Sequence, residues 1–117
     1  VDAFRERFNT IRRHADELGR DLSGFDGTLH MMVNINEDED TAFEQATTFL
    51  GSYYGAGMIS RERAETWIAC GSPQSVIDKI AAYIEAGCTM PVLRFVAPDP
   101  RQKLQRCIDE VLPAFKM

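Results

Sequence analysis

The sequence predicts an α/β fold in which parallel strands are joined by helical connections. Thr28 to Ile35 alternates apolar and polar residues with the period of a strand, and Pro91 to Ala97 is a nearly continuous apolar run of the kind buried on both faces. Between and around these runs the apolar residues recur at helical spacing. Strands separated by helices pair in parallel through a right-handed crossover. Such a pair still needs neighbours on its outer edges, so the sequence asks for more sheet than it contains.

Taken in order, Phe4, Phe8, Ile11, Ala15 and Leu18 form one stripe of a first helix that stops near Gly19. The turn-rich stretch from Asp21 to Gly27 leads into the first strand. In it Leu29, Met31, Val33 and Ile35 alternate with Thr28, His30, Met32 and Asn34, and Met32 on the second face predicts that both faces are at least partly covered. Asn36 or Asp38 caps the next helix, and the acidic run Glu37-Asp38-Glu39-Asp40 lies where its dipole favours negative charge. Ala42, Phe43, Ala46, Phe49 and Leu50 supply its apolar face, and the glycine-rich Gly51 to Gly57 breaks it. A short helical turn follows Ser60, anchored by Trp67 and Ile68. Ser72-Pro73 starts a helix with the buried stripe Val76, Ile77, Ile80, Ala81 and Ile84, ended by Gly87. After the second strand, Asp99-Pro100 begins the last helix, with Leu104, Ile108, Val111, Leu112 and Phe115 on one side and Pro113 near its end.

The length of 117 residues allows one small domain, and 44% hydrophobic with 26% charged residues is ordinary globular composition. A net charge of -5 argues against a nucleic-acid partner, which needs clustered Lys and Arg. No stretch approaches the ~20 apolar residues of a membrane span, and no charged-then-apolar leader opens the sequence, so a soluble cytoplasmic protein is expected. Cys70, Cys88 and Cys107 are odd in number and widely spaced, which fits reduced thiols. A metal site is not expected, since His14 and His30 are the only histidines and no cysteines lie close together. Gly55-Ala56-Gly57 follows a helix and lacks the remaining glycine of a dinucleotide loop; neither a nucleophile elbow nor a phosphate-binding Gly-Lys-Ser/Thr motif occurs.

Gly71-Ser72-Pro73, the helix end Ala82-Tyr83-Ile84-Glu85-Ala86-Gly87, Leu93-Arg94-Phe95 and Val111-Leu112-Pro113 follow one another in an order and spacing that resembles the closing segment of the bacterial luciferase-like monooxygenase superfamily. Phe4 to Tyr54 likewise looks like that family's preceding helix, seventh strand and seventh helix. Cys88-Thr89-Met90-Pro91 departs from the more usual Val-Asp type of connection. The resemblance implies the C-terminal part of a (β/α)8 TIM barrel, strands seven and eight with their flanking helices, in a domain of ~250 residues or more whose active site lies at the C-terminal ends of the strands. Residues 1–117 are then a single segment, with the earlier strands expected ahead of Val1. The function implied is that of a flavin-dependent oxidoreductase or monooxygenase using reduced FMN or coenzyme F420 on a small organic substrate, in a homo-oligomer. Much of that family's catalytic apparatus comes from earlier strands, so no catalytic residue carries over and the segment alone is expected to be inactive.

Arg94 within the second strand and Asn34 near the end of the first are candidate contacts to flavin, substrate or phosphate, and the arginine fork suits anions. His30 shares a face with Asn34, and Ser72 with Gly71 can present helix N–H groups to a phosphate. Each has a structural account as well. Arg94 pairs with a carboxylate, Asn34 closes the turn into Asn36, His30 is a satisfied core histidine and Ser72 is a helix cap. Cys70 is either a stabilised thiolate or a small buried hydrophobe. The alternative function is a non-catalytic α/β binding or assembly module that completes its sheet by self-association.

Overall fold

In the computed structural model, which describes residues 1–115, strand β1 (Thr28–Ile35) is the centre of a three-stranded parallel sheet with β2 (Ile68–Gly71) on one edge and β3 (Met90–Phe95) on the other. Thr28 stands opposite Met90 and Val33 opposite Phe95, so the two predicted strands are parallel neighbours, as expected. The second runs Met90–Phe95, with Val96 and Ala97 buried just beyond its end. β2 was not expected. It has only four residues and follows helix α3 (Arg61–Trp67) directly, so Ile68 reads from sequence as the last anchor of a helical turn. Its register, Met32 opposite Ile68 through Ile35 opposite Gly71, places it beside the second half of β1 alone.

The alternation of β1 sorts its side chains into two cores. Met31, Val33 and Ile35 pack with Ala69, with Val76 and Ile80 of helix α4 (Pro73–Glu85), and with Cys107 and Val111 of the C-terminal helix. On the other face Met32 packs under Ala42, Phe43, Ala46 and Leu50 of helix α2 (Glu39–Tyr54), beside Ala64, Ile68, Cys70 and Val96. The second face is roofed only over the C-terminal ends of the strands. Towards their N-terminal ends Thr28, His30, Met90 and Val92 are exposed.

Helix α1 (Asp2–Glu17) uses half of its predicted stripe: Phe8 and Ala15 are buried, whereas Ile11 and Leu18 are exposed. Phe8 fits against Gly87, where φ is +116° and a Cβ would stand 2.8 Å from the ring, so only glycine suits this turn. α2 passes through Gly51 and ends at Gly55, so the expected break at Gly51 falls one turn later; Asp38 caps it, accepting from the N–H groups of Asp40 and Thr41. The buried side of α4 is Val76 and Ile80, with Ile77 and Tyr83 partly buried against the same core, while Ala81 and Ile84 of the predicted stripe face solvent.

The last helix is rotated from its prediction as well. Helix α5 (Pro100–Arg106) continues into a wide turn at Cys107–Val111 and a tight one at Leu112–Phe115, where Pro113 has no N–H to continue an α-helix. Lys103, Cys107 and Val111 are buried, and Leu104, Ile108 and Leu112 are exposed. Val111 and Phe115 pack against the core as expected, whereas Lys103 and Cys107 take the places expected of Leu104 and Ile108, one residue or about 100° around the axis away. Leu50→Ala, deep under the sheet, is therefore expected to cost about 2–5 kcal/mol in urea unfolding, and Leu104→Ala less than about 0.5 kcal/mol. Equal losses would contradict the rotation.

Candidate functional site

Three of the four residues singled out from sequence share the half-roofed face of the sheet. Met32 stands opposite Arg94 and His30 opposite Val92, so His30 and Arg94 are diagonal neighbours, and Asn34 lies two residues further along β1 beneath α2. His30 is exposed, not a satisfied core histidine. Arg94 is half-buried where the roof ends. Its guanidinium lies 4.9 Å from the ring centroid of Tyr53 and 5.9 Å from that of Phe49, both on α2. No carboxylate among the described residues pairs with it, which corrects the expectation of an ion pair; the aromatic rings carry the charge instead.

Asn34 is fully buried and joins strand to helix. Its Nδ2 donates to the Ala42 carbonyl at 2.9 Å and to Gln45 Oε1 at 3.1 Å, and its Oδ1 has no partner among the described residues. It does not close the turn into Asn36. Asn36 does that itself, its Oδ1 accepting from the Asp38 N–H. Ser72 lies off this face at the start of α4, where its Oγ accepts from the Ser75 N–H and stands 3.1 Å from the Ser75 Oγ, so the cap is made.

Cys70 is buried in β2, and that burial, opposed in part by Lys79 and Arg61, pushes its thiol up to about 12. It is a small hydrophobe, not a stabilised thiolate. All three cysteines are free and buried.

Sequence reasoning missed Lys103. Its side chain is buried, and Nζ donates to the Ile35 carbonyl at 2.5 Å, holding the end of β1 to α5. Burial, and after it the neighbouring Arg106 charge, lowers the pKa of this ammonium. Arg106 pairs with both Glu37 and Glu110, so the connection after β1 is tied to α5 twice. The signal was present in the i, i+4, i+8 spacing of Lys103, Cys107 and Val111, hidden because a lysine reads as surface.

A cleft of about 570 Å³ lies towards the other end of the sheet and is lined by Phe4, Phe8, His30, Trp67 and Tyr83 among others. It runs beside the half of β1 that β2 does not reach, the position of a strand edge with no partner among the described residues. No group of three or more His, Cys, Asp or Glu suited to a metal occurs among the described residues, and none of their helices is long and apolar enough to cross a membrane.

No family model and no curated protein matches the chain. Among solved structures it is similar to an F420-dependent secondary alcohol dehydrogenase in complex with an F420-acetone adduct, with a TM-score of 0.76 and 20% identity over 94% of this chain and 38% of that one. It is also similar to the coenzyme F420 dependent tetrahydromethanopterin reductase from Methanopyrus kandleri, with a TM-score of 0.72 and 23% identity over 97% of this chain and 42% of that one. The chain spans about two fifths of the length of either. What is shared is the fold. The chain has the α/β architecture of part of a (β/α)8 barrel, with β1 and β3 as adjacent parallel staves.

Asn34→Ala removes the strand-to-helix tie and is expected to cost about 1–3 kcal/mol in chemical denaturation, and Asn34→Asp more, since a carboxylate would face the Ala42 carbonyl. For Cys70 the folded-state pKa is raised, so its contribution to stability is complete below the ordinary thiol value near 9 and is lost as pH rises towards about 12. Unfolding measured from pH 8 to 11 should show the unsubstituted protein losing more stability than Cys70→Ala; parallel curves would refute the burial of this thiol.

Proposed function

We propose that residues 1–117 are a single segment, the C-terminal portion of the barrel domain of an oxidoreductase that uses coenzyme F420 on a small organic substrate. The observation that carries this reading is the likeness of nearly the whole chain to parts of two F420-dependent enzymes. F420 is preferred to FMN because both of those proteins are F420-dependent. Neither a monooxygenase reaction nor a need for oxygen has comparable support.

The aromatic residues where the roof of α2 ends fit a planar cofactor ring. Tyr53 and Tyr54 are 65% and 57% exposed at the end of α2, and Arg94 brings N–H donors beside them. When bound, the cofactor supplies the redox chemistry. This chain's own part is to bind, orient and exclude water. Asn34 and Lys103 fix the end of β1 against α2 and α5, while His30 and Arg94 present polar groups from the half-roofed face. Ser72 keeps its role as a cap, and the N–H groups at the start of α4 are offered as a secondary contact for a phosphate. Assembly into a homo-oligomer belongs to the same proposal.

A second reading, a self-associating module without catalysis, is favoured by the unpaired half-edge of β1 and by the exposed Leu104, Ile108 and Leu112. Titrating the intact protein with F420 and separately with FMN, followed by absorbance and fluorescence, separates the readings. Saturable F420 binding with little or no FMN binding is expected. An intact protein that binds neither and sediments as an oligomer sealed through this segment would instead support the module.

A further inference from the structure

We infer that Arg94, seated on Tyr53 and Phe49, is an oxyanion-binding site on the half-roofed face of the sheet, built to take a carboxylate or phosphate group of a bound ligand. This deepens the proposed function and rests on it for the identity of the ligand, though not for the chemistry of the seat. Arg94 and Arg106 are the two half-buried arginines among the described residues, and Arg106 holds carboxylates of Glu37 and Glu110 within salt-bridge distance. Arg94 is half-buried in a strand, yet its side chain makes no ion pair and no hydrogen bond among the described residues. Two aromatic rings stabilise its charge, but they leave the five N–H donors of the fork without in-plane acceptors. A partly buried cation in this condition gains most from an anion that accepts two parallel N–H bonds. The diagonal neighbour His30 is exposed on the same face and adds a further polar group, and Tyr53, itself largely exposed, leaves the approach open.

The test uses the intact protein with inorganic phosphate and acetate as probes, each titrated against sodium chloride at matched ionic strength, while the Arg94 Nε–Hε resonance is followed by NMR. A saturable shift with either probe beyond the chloride control is expected. Arg94→Lys should weaken the affinity about tenfold by removing the fork, and Arg94→Met should abolish binding, each with the remaining spectrum intact. Tyr53→Leu, at an exposed position, offers a milder variant and should weaken binding without unfolding the protein. Repeating the titration with F420 bound assigns the source: competition means that the seat takes an anionic group of the cofactor, and independent binding means that it takes one from the substrate. The inference is overturned by the absence of a saturable shift, by unchanged affinity in Arg94→Met, or by an Arg94 already paired with a carboxylate from elsewhere in the intact protein. Anion binding without F420 binding would leave the seat standing and remove the cofactor assignment; F420 binding without anion binding would do the reverse.

Discussion

Everything in this structure depends on β1 being a central strand. A strand in that position has both backbone edges to pair and both faces to cover, and an unpaired buried N–H or C=O costs about as much as a lost hydrogen bond. β3 pairs its first six residues on one side, and β2 pairs its last four on the other. The helices follow from that need. α4 and the C-terminal helix cover the odd-numbered side chains, and α2 with α3 covers the C-terminal part of the even-numbered ones. What remains uncovered among the described residues is the even-numbered side of the strands near their N-terminal ends and the half-edge beside the cleft.

Polar ties hold the mouth end of β1 in register. Asn34 reaches α2, Lys103 reaches the Ile35 carbonyl, and Arg106 grips Glu37 just beyond. The burial of Lys103 is tolerable because its aliphatic stem packs while its ammonium meets a carbonyl at the strand end. The chain thus carries two kinds of buried or half-buried cation. Lys103 is satisfied by the fold. Arg94 rests on aromatic rings, with no carboxylate paired to it among the described residues.

Much of this was legible in the residues. The strand Thr28–Ile35 coincides with its alternation, and Ser72, Ser60 and Asp38 start helices where their side chains predict. That His30 and Asn34 share a face follows from the period of two, and the register of the structure adds Arg94 to it. Less legible was what each of them touches. Asn34 meets Gln45, eleven residues away on a helix whose packing angle no local pattern encodes. The four residues of β2 carry no alternation long enough to detect, and their strand conformation is imposed by the exposed edge of β1.

The sequence by itself determined the α/β class, most helix starts and the parallel pairing of the two longer strands, because caps, periodicity and spacing act over a few residues. Only the tertiary structure decided the third strand, the rotation that buries Lys103 in place of Leu104, and the aromatic seat of Arg94. Those outcomes depend on which surfaces meet across tens of residues, where the free energy of packing a whole face outweighs the hydrophobicity of any one position.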